Sequence, residues 1–167
     1  MSTTVGFTVN GRFVTAILET DELLCDVLRE RLHLFGTRVG CREGVCGSCN
    51  VLVDGSVVRS CLMLATQADA CEIRTVEGLA PNGHLSALQR AFLEHGAVQC
   101  GFCTAGVLIG VTALLESGVC PSEAEIVETL AGNLCRCTGY SKILAAIRAV
   151  AGTAVDVRPI SRQHGGT

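Results

Sequence analysis

The sequence predicts an α+β protein in two small parts, a strand-rich first half and a four-helix second half. Three observations predict it. Asn10-Gly11 and Asp54-Gly55 each sit between short runs of alternating apolar residues, the pattern of a tight hairpin. After Gly83 the apolar period changes from two to 3.6. Eight of the eleven cysteines fall into two sets, one in each half.

The elements follow in order. Gly6–Asn10 and Arg12–Leu18 flank the first turn. A helix is expected from about Asp21, because Leu23, Leu24, Val27, Leu28 and Leu32 share one helical face. A glycine-rich stretch carrying Cys41, Cys46 and Cys49 comes next. Asn50–Val53 and Ser56–Val58 form the second hairpin, and Cys71–Val76 is the expected closing strand. Residues 77–83, with Gly78, Pro81, Asn82 and Gly83, read as a linker. Beyond them Leu85, Leu88 and Phe92 make one helical stripe, and Val107, Leu108, Val111, Leu114 and Leu115 a second. Ser122 and Glu125 form a capping box for a third helix that buries Ile126, Val127 and Leu130. A fourth carries Ile143, Leu144, Ile147 and Val150. The expected boundaries are a first domain at 1–76, a linker at 77–83, a four-helix domain at 84–152 and an extended tail at 153–167.

Within the second half, helix, cysteine pair, helix occurs twice. Cys103 and Cys137 each precede a predicted helix, with Thr104 and Thr138 as expected N-caps. If the two hairpins pack about a pseudo-twofold axis, four sulfurs converge, and two helix N-termini face whatever anionic group they hold.

Totals exclude several classes. The chain has 167 residues, 49% of them hydrophobic and 17% charged, so a packed globule is expected. Its longest apolar stretch, Ala105 to Leu115, is too short to span a bilayer. Nothing at Met1–Asn10 resembles a secretory signal, which points to the cytoplasm. With net charge −3, no basic run and few aromatic rings, nucleic-acid binding is not expected. An odd cysteine count without an export signal favours metal ligands or catalytic thiols over a disulfide framework.

The first set reads Cys41-x4-Cys46-x2-Cys49 with a distant Cys61, the spacing of a plant-type [2Fe–2S] site. Gly40, Gly44 and Gly47 let such a loop wrap tightly and aim its N–H groups inward. Zinc is the competing reading, but zinc knuckles offer two matched short pairs. The second set is Cys100-x2-Cys103 with Cys135-x-Cys137. A lone Cys-x2-Cys also suits zinc or a redox dithiol, whereas Cys-x-Cys is less usual for zinc. Arg42 and Arg136, inside the motifs, either offset cluster charge or face solvent. Cys25, Cys71 and Cys120 lack partners at ligand spacing and are expected to be packed or inert. His33, His84, His95 and His164 follow no metal pattern, so a Rieske-type site is not expected.

The segments GCREGVCGSCNVLVDG, Ser60-Cys61, QCGFCTAG and GNLCRCTGY together resemble the iron–sulfur subunit of molybdenum hydroxylases, the xanthine oxidase family. The resemblance runs over residues 3–151. It implies a plant-type ferredoxin-like (β-grasp) domain with one [2Fe–2S] cluster on Cys41, Cys46, Cys49 and Cys61. It implies a four-helix bundle domain with a second cluster on Cys100, Cys103, Cys135 and Cys137. It further implies electron flow from molybdopterin in a large subunit, through the helical-domain cluster and then the ferredoxin-like one, to FAD in a medium subunit. The complex would be a dimer of heterotrimers, with Gln99 and Cys137 beside the pterin. One departure stands out: Ala105 occupies a position where the family commonly has Pro.

No phosphate-cradling loop, Ser–His–Asp set or carboxylate pair stands out, so no catalytic site is expected on this chain. A relay subunit of a heteromeric hydroxylase is the leading expectation. A free-standing ferredoxin and a zinc-stabilised interaction module are the alternatives. The mean hydropathy of +0.44 favours a chain with interface to bury.

Overall fold

The computed structural model describes residues 1–152; the tail expected at 153–167 lies outside them. Strand β1 (Ser2–Val9) turns into antiparallel β2 (Arg12–Glu19). Asn10 and Gly11 sit at φ 50° and 80°, as a type I′ hairpin turn requires. β3 (Asn50–Val53) and β4 (Ser56–Arg59) repeat the device through Asp54 and Gly55 at φ 48° and 81°. The closing strand β5 (Glu72–Arg74) enters the middle of the sheet, whose order is β2-β1-β5-β3-β4. It runs parallel to β1 and antiparallel to β3. Alternation then buries Val5, Phe7 and Val9 of β1 with Leu18, Val51, Val53 and Ile73.

The first helix is shorter than its apolar spacing suggests. Leu23 is extended and bridges to Leu64, so α1 begins only at Leu24 and ends at Asp26. Val27–Arg31 continue as a π-helical turn, in which Leu32 N–H donates to the Val27 carbonyl at 3.1 Å. Leu24, Val27 and Leu28 still reach the sheet core.

Four helices follow: α2 (Ala87–Glu94), α3 (Thr104–Leu115), α4 (Glu123–Ala131) and α5 (Ser141–Ala151). Helix α2 packs on α5, and α3 on α4. Exchanging the two hairpins leaves that pairing unchanged, as a pseudo-twofold arrangement demands. The box at α4 is formed: Glu125 N–H donates to Ser122 Oγ at 3.3 Å, and Ser122 N–H to Glu125 Oε2 at 2.7 Å. Ser86 and Gln89 make a second box that starts α2 at Ala87 and leaves Leu85 outside the helix and exposed. Val127 is also exposed, because Ile126 and Leu130, four residues apart, occupy the one buried face of α4.

Sheet and helices meet along α3. Gly106–Val111 are all buried, since α3 has α4 on one side and β3 on the other. Strand β3 is accordingly buried on both faces: Val51 and Val53 pack in the sheet core, Leu52 in the helical one. Where a linker was expected the chain is folded. Val76–Leu79 forms a 3-10 turn, Asn82 turns at φ 59°, and Leu79 is buried against the helical core. Among the described residues no helix is long and apolar enough to cross a membrane.

Candidate metal centres

All eleven cysteines are free thiols, and the structure gathers eight of them into the two sets that the spacing defines. The first set lies on the loop before β3, with Cys61 just past β4. Cys41 Sγ accepts N–H bonds from Glu43 and Cys46, both at 3.4 Å. Those donors, Cys46 foremost, hold the Cys41 thiol down to about 6. Cys49 and Cys61 are buried together and hydrogen-bonded, and burial pushes Cys61 up to about 11. A Cβ on Gly40 would lie 3.2 Å from Cys46 Sγ and 3.2 Å from the Phe102 ring, so glycine keeps the space beside the sulfur open.

The second set is built differently. Cys100 and Cys137 are exposed, with their sulfurs 3.5 Å apart. The Phe102 N–H lowers Cys100, and the neighbouring Cys100 thiol raises Cys137. Cys103 is buried, which lifts its thiol to about 12, and it hydrogen-bonds Cys135. Although burial raises Cys135, the Thr138 hydroxyl and N–H prevail and hold it down to about 7.

Neither expected threonine cap forms in the structure. Cys103 itself is the N-cap of α3, and Thr104 is already helical. Thr138 caps no helix: its Oγ1 is spent on Cys135 Sγ and on the Tyr140 N–H, and α5 starts only at Ser141 after Tyr140 at φ 65°. One helix N-terminus, not two, therefore begins at a cysteine of this set. Ala105 is the second helical residue, so Pro there would press Thr104 out of helical geometry and offset part of its gain.

The remaining expectations sort clearly. Arg42 makes a two-pronged ion pair with Asp26, while Arg136 is exposed. Cys25 is fully buried against Cys49 and Cys61, Cys71 is half-buried, and Cys120 is exposed and donates to the Ala151 carbonyl. His33 follows the first helix at φ 56°, and His95 caps the C-terminus of α2. Gln99 is exposed next to Cys100. Spacing did not single out Asn50, Arg59, Asn133 and Tyr140. Tyr140 Oη takes the Cys135 N–H at 2.8 Å and donates to the Asn133 carbonyl at 2.9 Å, bracing the Cys135 loop. Their one sequence signal was adjacency to the cysteines: Asn50 follows Cys49 and Asn133 lies two before Cys135.

Among the described residues no three His, Cys, Asp or Glu side chains close on a single ion. The thiols meet instead in pairs, Cys41 with Cys46, Cys49 with Cys61, Cys100 with Cys137 and Cys103 with Cys135. Paired thiolates suit a binuclear core, which takes two sulfurs at each iron. Inward N–H donors and the open space at Gly40 fit the same core.

Comparison with known proteins agrees. The family described as "2Fe-2S iron-sulfur cluster binding domain" matches residues 7–80, and "[2Fe-2S] binding domain" matches 75–148. The nicotine 6-hydroxylase small subunit of Paenarthrobacter nicotinovorans is 53% identical over 139 residues, 83% of this chain and 84% of that protein. Caffeine dehydrogenase subunit gamma of Pseudomonas sp. (strain CBB1) is 49% identical over 152 residues, covering 89% and 91%. The crystal structure of quinoline 2-oxidoreductase from Pseudomonas putida 86 superposes with a TM-score of 0.86 at 48% identity, covering 92% of this chain and 96% of the matched one.

Proposed function

The chain belongs to the iron–sulfur small subunits of the molybdenum hydroxylase family and carries two [2Fe–2S] clusters, and from that premise we propose that it is the electron relay of a heteromeric hydroxylase or dehydrogenase. Cys41, Cys46, Cys49 and Cys61 hold one cluster in a ferredoxin-like (β-grasp) domain over 1–76. Cys100, Cys103, Cys135 and Cys137 hold the other in a four-helix bundle domain over 84–152, and 77–83 joins them. When bound, each core takes up and returns one electron. The supporting observation is the pairing of eight free thiols in two separate folds.

The chain's own residues set the conditions. Backbone N–H groups of Glu43, Cys46, Phe102 and Thr138 favour the thiolate, the form that ligates metal. Exposed Cys100, Cys137 and Gln99 form the face offered to a large molybdopterin subunit, so electrons enter there. The first set, on the sheet side, delivers them to FAD in a medium subunit. The assembly in this reading is a dimer of heterotrimers.

Purification of the chain from its native source tests the reading. Elution with two larger subunits, with molybdenum and flavin in the same peak, is the expected result. A lone ~17 kDa species would make it a free shuttle instead.

A further inference from the structure

A buried polar clasp ties the two cysteine sets together, and nothing in the ligand geometry requires it. Asn50 and Asn133 are 3% and 2% exposed. Asn133 Nδ2 donates to the Gly47 carbonyl at 2.9 Å, within the first loop. Asn50 Nδ2 donates to Asn133 Oδ1 at 3.1 Å and to the Gly106 carbonyl, in α3 just beyond Cys103, at 3.4 Å. Arg59 closes the ring: it donates to Asn50 Oδ1, to the Gly132 carbonyl at 2.6 Å and to the Gly44 carbonyl at 3.2 Å. Beside it Leu134 N–H donates to the Cys46 carbonyl at 2.9 Å.

The direction of every amide in the ring is fixed. A guanidinium only donates, so Asn50 must turn its oxygen to Arg59 and its NH2 to Asn133. Asn133 must then present its own NH2 to Gly47, whose carbonyl only accepts. Space is fixed as well: a Cβ on Gly47 would stand 2.3 Å from the Gly132 oxygen, and one on Gly106 2.2 Å from the Gly47 oxygen. The two loops touch backbone to backbone, and a fully satisfied buried network admits one arrangement of them.

We propose that Asn133, oriented by Asn50 and Arg59, is a positioning residue that sets the placement of one cluster relative to the other. The proposal rests on the two quartets holding clusters as assigned above. It ligates nothing; it keeps the gap that an electron must cross short and uniform.

The test uses the full chain, loaded with iron and sulfide and fully reduced, with the magnetic splitting between its two paramagnetic clusters as the readout. In Asn133→Ala both cluster signals and the iron content should persist, while the resolved splitting is lost to a spread of distances. Asn133→Asp, isosteric but with a carboxylate against the Gly47 carbonyl, should do the same. Arg59→Ala, which removes only the outer member, should blur the splitting less and decides the matter if neither Asn133 variant folds. Unchanged splitting in the folded variants overturns the proposal. So does selective loss of one cluster, which would make Asn133 a prop for a single loop. A parent chain without two cluster signals would instead defeat the ligand assignment itself.

Discussion

The two cysteine sets solve one chemical problem in opposite ways. The first sits on an irregular loop, with glycines at close approaches, two buried sulfurs and N–H donors on a third. The second is split between two turns flanking helices, and two of its four sulfurs are exposed. A loop that wraps its cargo needs glycine; a pair of turns brought together by helix packing needs the bundle. Substitutions should accordingly damage one set without the other.

The largest effect belongs to the proposed ligands. Cys46→Ser should abolish one reduced [2Fe–2S] signal and Cys103→Ser the other, as read by electron paramagnetic resonance. Loss of both from either change would erase the distinction.

Backbone crowding comes next. Gly47→Ala adds a Cβ at φ 74° and 2.3 Å from the Gly132 oxygen, and should cost about 3 kcal/mol in urea unfolding. Gly139→Ala, at φ 59° but with open space around it, should cost only about 1 kcal/mol. Equal costs would mean that the first loop is no tighter than the second.

A smaller effect is pH-dependent. The Arg42 hydrogen bonds hold Asp26 below the usual carboxylate range. A depressed folded pKa gives stability above the unfolded value that is lost as pH falls through the folded one. Asp26→Asn should cost about 0.5 kcal/mol at neutral pH, since the pair is partly solvated, and the gap from the parent should close in acid. A gap that persisted in acid would remove the ion pair as its cause. Smallest is Ala105→Pro in the second set, expected to shift stability by less than about 0.5 kcal/mol because Thr104 is helical.

Much of this was legible in the chain. Asn10-Gly11 and Asp54-Gly55 fixed both hairpins because a type I′ turn demands two positive φ angles. The Ser122 box likewise marked α4. What escaped depends on tertiary partners. Leu23 left its helical register to bridge Leu64, and Leu52 joined the helical core because α3 covers β3. Thr138 looked like a cap but serves Cys135. The Asn50–Asn133 clasp joins residues 83 apart, which no local spacing can display.

Metal analysis of the purified full chain bears most directly on the central claim. Two independent quartets predict iron and acid-labile sulfide at about four each per chain, with both reduced signals present. About half that content, or zinc in place of iron, would contradict it.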